Sequence, residues 1–170
     1  MEQKIETKED KRRVLHGHLL ASSLEKYFRN PEKLAILREI VEGNSDISLR
    51  LLDFFVSTYC RQHTIVLDLG IDIHAEYRMR LKAYSKMLFD PFRRRTRTKI
   101  TSEDGYDQET TLAQANFFRW AIENGIVDYL QENIEDVERA MSRCRNPEAR
   151  QSPINSRGIT VRADAKLNFS

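Results

Sequence analysis

Cysteine, glycine and proline are all scarce in this chain, and their scarcity excludes several classes of protein. The 170 residues include two cysteines, six glycines and four prolines. So little glycine and proline argues against collagen-like and low-complexity chains. Cys60 and Cys144 lie far apart and outside any CxxC pattern, which argues against a disulfide scaffold or a structural zinc site. We expect two free, mostly buried thiols in a reducing compartment.

Long apolar runs are also missing from the sequence. No run approaches the ~20 residues that a membrane-spanning helix requires. The N-terminal residues Met1-Glu2-Gln3-Lys4 are charged, whereas a signal peptide carries an apolar stretch. We therefore expect an intracellular protein that has no membrane partner.

Catalytic and cofactor-binding motifs are absent as well. The sequence contains no GxGxxG, P-loop, GxSxG or HExxH pattern, each of which places reactive groups at a fixed spacing. His16 and His18 would point apart on a helix, so they do not share a metal. Asp128, Glu132 and Glu135 share a predicted helical face, which is more typical of a solvated surface than of acid–base catalysts. We predict a protein that is not an enzyme and has no cofactor, metal site or small-molecule substrate.

Charge is abundant and unevenly distributed. Charged residues make up 32% of the chain and hydrophobic residues 40%, a balance typical of a globular, helix-rich protein. The formal net charge is only +2. Residues 78–100 hold nine positive and one negative side chains, residues 101–142 hold two positive and ten negative, and residues 143–170 hold six positive and two negative. We therefore expect a surface that is electrically polarised.

The spacing of apolar residues predicts a mainly α fold, a single compact domain of about six helices with a minor β element and an extended C-terminal arm. The helices are predicted at about 9–28, 31–42, 46–59, 74–89, 111–124 and 126–142, the strands near 64–67 and 95–100, and an acidic loop at 102–109. The domain organisation that follows is a mobile N-terminus at 1–8, a helical domain at 9–142 and a basic, extended arm at 143–170.

Three local predictions concern helix ends and the core. Ser45 or Asp46 fits the N-cap of the third helix. Thr111 and Gln114 have the spacing of a capping box at the start of the fifth helix. Trp120 lies among the apolar residues of that helix, so we predict that it is a buried core anchor.

The basic segment at residues 78–100 is the strongest functional signal. Arg78, Lys82 and Lys86 recur every four residues on a predicted helix, which places them on one face. Arginine suits phosphate because its planar fork binds two oxygens at once. The residues that we predict to contact nucleic acid are Arg78, Lys82, Lys86, Arg93, Arg94, Arg95, Arg97 and Lys99.

Aromatic residues are interleaved with these basic residues. They are Tyr77, Tyr84, Phe89 and Phe92. Aromatic rings beside cationic side chains are candidates for stacking on bases. The helical spacing of the two tyrosines also fits packing in a core.

Two other interpretations of the basic segment remain open. In the first, its side chains pair with the acidic block at 101–142, within the chain or between copies. In the second, the segment is a plain solvated face. A salt-sensitive shift with DNA or RNA distinguishes nucleic-acid binding from both.

Three blocks of the sequence resemble a known viral family. They are ISLRLLDFFVSTYCRQ at 47–62, IDIHAEYRMRLKAYSKMLFDPFRRR at 71–95 and TTLAQANFFRWAIENGIVDYL at 110–130. Through the strings LKAYSK, FDPF and NFFRWAIEN, about half of the chain resembles an uncharacterised protein family of nucleocytoplasmic large DNA viruses. In that family a cysteine often follows FDPF, where this chain has Arg93, so the resemblance implies no metal or redox role there. It implies a viral protein made in an infected cell and supplies no catalytic residue.

The leading functional hypothesis is a non-enzymatic viral protein that binds DNA or RNA through the basic segment. Binding would be electrostatic contact with the backbone, in genome handling or transcription. The alternative is a structural or assembly protein, such as a minor virion component, whose charged faces and C-terminal arm dock on its own copies or on other viral proteins. Either protein is expected in the cytoplasm, nucleus or virus factory of the infected host cell, or in the virion.

Overall fold

The computed structural model describes residues 7–67 and 70–146. Its helices are α1 (Lys8–Phe28), α2 (Pro31–Glu42), α3 (Leu49–Phe54), a π-helical segment (Phe55–Tyr59), α4 (Cys60–His63), α5 (Ile73–Leu88), α6 (Leu112–Glu123), α7 (Ile126–Glu132) and α8 (Ile134–Arg145). Its strands are β1 (Val66–Leu67), β2 (Ile71–Asp72), β3 (Arg97–Thr101) and β4 (Asp107–Thr111). The predicted mainly α fold with a minor β element is confirmed.

The described residues form two compact units. Unit 1 contains residues 7–38 and 84–120, and unit 2 contains residues 39–67, 70–83 and 121–146. The chain passes from one unit to the other within α2, within α5 and within α6. Among the described residues, no helix combines the length and apolar character that crossing a bilayer requires.

The core of unit 1 is centred on aromatic residues. The ring centroid of Phe89 lies 5.4 Å from that of Phe117 and 5.5 Å from that of Trp120. All three side chains are buried, together with Leu24 and Phe28 of α1. Burying a side chain of this size contributes roughly 1.5–3 kcal/mol. The prediction that Trp120 anchors the core is confirmed.

Unit 2 is built around one continuous helical path formed by α3, the π-helical segment and α4. Ser48 begins it, because its Oγ accepts a hydrogen bond from Leu51 N at 3.1 Å. It ends at Thr64, whose φ of 46° is left-handed. The buried side chains of this unit include Leu51, Leu52, Phe55, Val56, Cys60, Ile126, Leu130 and Val137.

The cap of the third helix differs from the prediction. The sequence favoured Ser45 or Asp46, but the helix begins after Ser48. Ser45 Oγ accepts instead from Ile47 N at 3.1 Å. This short local turn occupies the Ser45 hydroxyl before the helix starts.

Within the part of the chain that the structure describes, the β element consists of two separate antiparallel hairpins, β1 with β2 and β3 with β4. β4 occupies part of the stretch 102–109 that was predicted to be an acidic loop. Asp107 and Glu109 are exposed, whereas Gln108 and Thr110 are buried. This alternation has the period of a strand, but the buried positions are polar, so the pattern of apolar residues did not reveal it.

The helix predicted at 126–142 is interrupted. Asn133 leaves the helical conformation, with φ −118° and ψ 21°, and separates α7 from α8. Helix α8 then continues to Arg145, so residues 143–145 are helical where the arm was predicted. The rest of the predicted arm, 147–170, and residues 1–6 of the predicted mobile N-terminus lie outside the described residues.

Candidate nucleic-acid interface

The eight basic residues predicted to contact nucleic acid are divided between the two units. Arg78 and Lys82 belong to unit 2, where they are exposed and one turn apart on α5. Between them, Arg80 Nε donates to Glu76 Oε1 at 2.8 Å, so this neighbouring positive charge is paired within the helix. The other six predicted residues belong to unit 1.

Lys86 follows a break in α5. Ser85 has φ 57° and ψ 170°, a backbone conformation that is strained for residues other than glycine. Its Oγ accepts from Met87 N at 3.3 Å, and its carbonyl oxygen accepts from Phe89 N at 3.0 Å. The four-residue spacing of Arg78, Lys82 and Lys86 predicted one continuous helix face. Ser85 breaks the helix before Lys86, so that spacing does not hold for Lys86.

Arg97 and Lys99 on β3 are paired diagonally with acidic residues on β4. Arg97 Nη1 lies 3.1 Å from Glu109 Oε2, and Lys99 Nζ contacts Asp107 Oδ2. The hydrogen bond from Lys99, with a smaller contribution from Thr101, lowers the pKa of Asp107. Arg97 and Lys99 therefore pair with the acidic block at 101–142, as the alternative interpretation of internal pairing predicted for the basic segment. All four paired side chains are exposed, so solvent and salt screen both pairs.

Arg93, Arg94 and Arg95 lie in the segment between α5 and β3, residues 89–96, here called the arginine loop. Arg94 and Arg95 are exposed, and Arg93 is half-buried. Within residues 7–67 and 70–146, no carboxylate lies within ion-pairing distance of these three side chains. The loop ends at Thr96, whose φ of 60° is left-handed. Among the described residues, these three consecutive guanidinium groups therefore have no acidic partner.

Side chains at the junction of β4 and α6 hold the main chain of this loop and the last residue of α5. Three side chains donate hydrogen bonds to carbonyl oxygens. The bonds are Asn116 Nδ2 to Leu88 O (2.8 Å), Gln114 Nε2 to Pro91 O (2.8 Å) and Thr111 Oγ1 to Arg93 O (3.1 Å). The three donor residues are buried. Leaving such a buried polar group without its partner costs about 1–3 kcal/mol. This set of bonds, here called the α6 clamp, therefore fixes the backbone that carries the arginines.

A tight turn within the loop is organised by Asp90. Its N–H donates to Ala113 O at 3.3 Å, and its Oδ1 accepts from Phe92 N at 2.9 Å. Its carbonyl oxygen accepts from Arg93 N at 3.3 Å. The carboxylate that is nearest in sequence to the arginines is thus engaged by the main chain of its own turn.

The predicted capping box at Thr111 and Gln114 is present only in part. Thr111 Oγ1 accepts from Gln114 N at 3.1 Å, as an N-cap does. The side chain of Gln114 does not return to the cap, because its Oε1 accepts from Thr110 Oγ1 at 2.9 Å while its Nε2 binds Pro91 O. The amide that would complete a capping box connects β4 to the arginine loop instead.

Only one of the four aromatic residues considered for stacking is exposed. Phe89 is in the core. Tyr84 is half-buried and stacks on His16, with ring centroids 5.6 Å apart. Tyr77 is half-buried in unit 2. Phe92, in the arginine loop, is 46% exposed.

Sequence reasoning missed the α6 clamp. The residue spacing gives no signal for Asn116 and predicts only a capping role for Gln114. The available signal was the position of polar residues among the apolar ones of the fifth predicted helix, since buried polar groups require partners. The identity of those partners depends on contacts between residues 18 to 28 positions apart, which helical periodicity does not specify.

The histidines and acidic residues form no comparable site. His74 Nδ1 lies 3.1 Å from Val56 O. Asp128, Glu132 and Glu135 are exposed, and the break at Asn133 separates the last from the other two. Over the described ranges, no group of three or more His, Cys, Asp or Glu residues is arranged to hold a metal ion.

The two cysteines differ in environment. Cys60 is buried, as expected, and burial raises the pKa of its thiol. Cys144 is exposed on α8, which corrects the expectation that the thiols are mostly buried. Cys144 continues the spacing of Ile134, Val137 and Met141, but it lies in the last turn of α8, where residues 142–146 are all exposed.

Comparisons with known proteins identify relatives of the chain. The model of a family described as "Family of unknown function (DUF7197)" matches residues 2–166. An uncharacterised protein of Acanthamoeba polyphaga mimivirus is 32% identical over 142 residues, which cover 75% of this chain. The match covers 55% of that relative, so the chain spans about half its length. No solved structure matches the chain.

The mimivirus relative agrees with the resemblance to an uncharacterised family of large DNA viruses, and that prediction is confirmed. Because the family model matches from residue 2 to residue 166, the chain belongs to the family of unknown function DUF7197.

Proposed function

We propose that the chain binds nucleic acid through the arginine loop by electrostatic contact with the phosphate backbone. The observation that carries the proposal is the combination of three adjacent arginines without a carboxylate partner among the described residues and a main chain fixed by the α6 clamp. A guanidinium group binds phosphate oxygens in a bidentate manner. A loop that is already ordered loses less conformational entropy when it binds.

The remaining predicted basic residues contribute to different extents. Lys86 is exposed in the same unit, and no ion pair to it occurs within the described residues. Arg97 and Lys99 become available only when their pairs with Glu109 and Asp107 open. Such exposed pairs are weak and salt-sensitive, so a phosphate competes with them. Arg93–Arg95 are therefore the principal contacts in this proposal.

The biological setting of the proposal is the handling or transcription of a viral genome. The relative encoded by a large DNA virus supports that setting. Contacts to phosphate alone carry no sequence information. We therefore expect similar affinity for unrelated sequences.

Fluorescence anisotropy of labelled duplex DNA and single-stranded RNA, at about 50 and 200 mM salt, tests the proposal. Changing Arg93, Arg94 and Arg95 together to Ala should weaken binding to unrelated sequences alike. It should also reduce the slope of log affinity against log salt by about 3, since each lost phosphate contact removes ~0.9. Unchanged affinity would exclude the arginine loop as the binding site.

A matched control separates this local effect from net charge. Arg12, Arg13 and Arg61 are exposed arginines outside the arginine loop, so changing all three to Ala removes the same charge. We expect a much smaller loss of affinity in this variant. An equal loss in both triple variants would show that total charge, rather than the loop, determines binding.

One observation favours assembly as a second function. Leu15 and Leu19, one turn apart on α1, are 59% and 63% exposed, and Lys11, Arg12 and Arg13 precede them. Adjacent exposed apolar side chains on a helix mark a surface that a second copy can cover. In this second proposal the chain is a structural protein, such as a minor virion component, that associates with its own copies.

Sedimentation velocity over a range of protein concentrations tests the second proposal. Leu15→Glu with Leu19→Glu should convert an oligomer to a monomer without changing nucleic-acid binding. A wild-type chain that stays monomeric at the highest concentration would refute it.

A further inference from the structure

We infer that the arginine loop recognises single-stranded rather than duplex nucleic acid, with the ring of Phe92 stacking on a base. This inference rests on the proposed function and adds the class of nucleic acid that the site takes. It starts from the exposure of Phe92 at the head of three arginines.

The backbone around Phe92 is held on both sides. Its N–H donates to Asp90 Oδ1 at 2.9 Å. The preceding carbonyl, of Pro91, and the following one, of Arg93, are both bound by the α6 clamp. The backbone that carries the exposed ring of Phe92 is thus an anchored turn.

The chemistry of the neighbouring residues selects the ligand. A phenyl ring in water gains free energy when a flat apolar surface covers it. The three guanidinium groups that follow favour a ligand that carries phosphate at short intervals. A strand with unpaired bases offers a flat face and a phosphate in every nucleotide, whereas a duplex hides its base faces inside the stack.

The spacing along the chain fits such a ligand. Consecutive Cα atoms are about 3.8 Å apart, so Phe92 and Arg93–Arg95 span only a few nucleotides. Thr96, with its left-handed φ of 60°, ends the loop. The site is therefore short, with one stacked base and the phosphates next to it.

The test compares binding of a labelled oligothymidylate and a blunt DNA duplex with the same number of phosphates. Phe92→Ala should weaken binding to the single strand roughly 5- to 150-fold, the range found for removing one stacking ring. Affinity for the duplex should stay unchanged. Phe92→Trp should retain single-strand affinity, whereas Phe92→Leu, which is apolar but not flat, should lose most of it.

A second readout observes stacking directly. In Phe92→Trp, binding of the oligothymidylate should quench the new indole fluorescence, against a background from the buried Trp120 that stays constant. The urea midpoint of Phe92→Ala should match that of the wild type, because the ring is exposed.

The outcomes distinguish this inference from the proposal on which it rests. Absence of wild-type binding to either ligand would refute the proposed function and the inference with it. Binding to both ligands that Phe92→Ala leaves unchanged, or weakens equally, would refute the inference alone. Loss confined to the single strand would establish it.

Discussion

The hydroxyl group of Thr111 donates a hydrogen bond to the carbonyl oxygen of Arg93 at 3.1 Å and accepts one from Gln114 N at the same distance. One side chain therefore begins α6 and holds the arginine loop. This dual role connects the stability of a helix to the geometry of a surface that carries charge.

Thr111→Val tests this connection, because it removes the hydroxyl and keeps the branched shape. Loss of the N-cap and of the bond to Arg93 should lower the free energy of unfolding by about 1–3 kcal/mol. Nucleic-acid affinity should fall roughly 2- to 10-fold, since the loop must then be ordered on binding. The salt slope should not change, because no charge is lost. Urea denaturation and anisotropy measure these effects.

Thr98→Val is the matched control for that variant. Thr98 is half-buried on β3, and no hydrogen bond to its side chain occurs within the described residues. We expect a change in unfolding free energy within about 0.5 kcal/mol and no change in affinity. Equal effects of the two substitutions would contradict the role assigned to Thr111.

Removing the acidic partners on β4 should strengthen nucleic-acid binding. Asp107→Asn with Glu109→Gln releases Lys99 and Arg97 from their ion pairs. If both freed residues reach phosphates, the salt slope becomes steeper by about 2. The control is Asp128→Asn with Glu132→Gln, which changes the net charge equally at exposed positions of α7. A gain of the same size in this control would indicate a general charge effect.

The hairpin should lose stability in acid through Asp107. The hydrogen bond from Lys99 lowers the pKa of this carboxyl in the folded chain. A group of this kind stabilises the fold fully above its unfolded pKa, and the contribution is lost as the pH falls through its folded pKa. The stability difference between wild type and Asp107→Asn should therefore be present at neutral pH and vanish in acid. Urea denaturation at pH values from neutral to about 3 measures this stability difference. A difference that stays constant over that range would contradict the assignment.

Glycine at position 85 should relieve strain in α5. Ser85 has φ 57° and ψ 170°, and residues in such regions carry about 1–3 kcal/mol of strain. Ser85 Oγ accepts from Met87 N as an N-cap does, and replacing such a serine by glycine costs only a few tenths of a kcal/mol, so Ser85→Gly should raise the free energy of unfolding by about 1 kcal/mol. Ser85→Ala keeps the strain and loses the Oγ bond to Met87 N, so it should lower stability. If urea denaturation showed Ser85→Ala to be more stable than Ser85→Gly, the strain at Ser85 would be disproved.

The sequence predicted the helices where apolar residues recur strongly, and it failed where polar residues are buried. Trp120 was predicted to be in the core because it lies in an apolar helix. Strand β4 was missed because Gln108 and Thr110 occupy its buried positions. Apolar periodicity detects burial only when the buried side chains are apolar.

The site was predicted as a contiguous run of charge, and the structure places its members in different environments. Net charge per segment does not distinguish Arg97, which is paired across the hairpin, from Arg95, which has no carboxylate within ion-pairing distance among the described residues. That distinction depends on the register of β3 and β4. The α6 clamp likewise depends on tertiary contacts, so residue spacing within one helix did not reveal it.

The α6 clamp also imposes an order on how the surface is made. The last of the three arginines, Arg95, precedes Thr111, the first residue of the α6 clamp, by 16 positions. A growing chain that has not yet reached Asn116 carries the charges without the geometry. The proposed binding surface is therefore completed only when α6 closes on a segment that is already present.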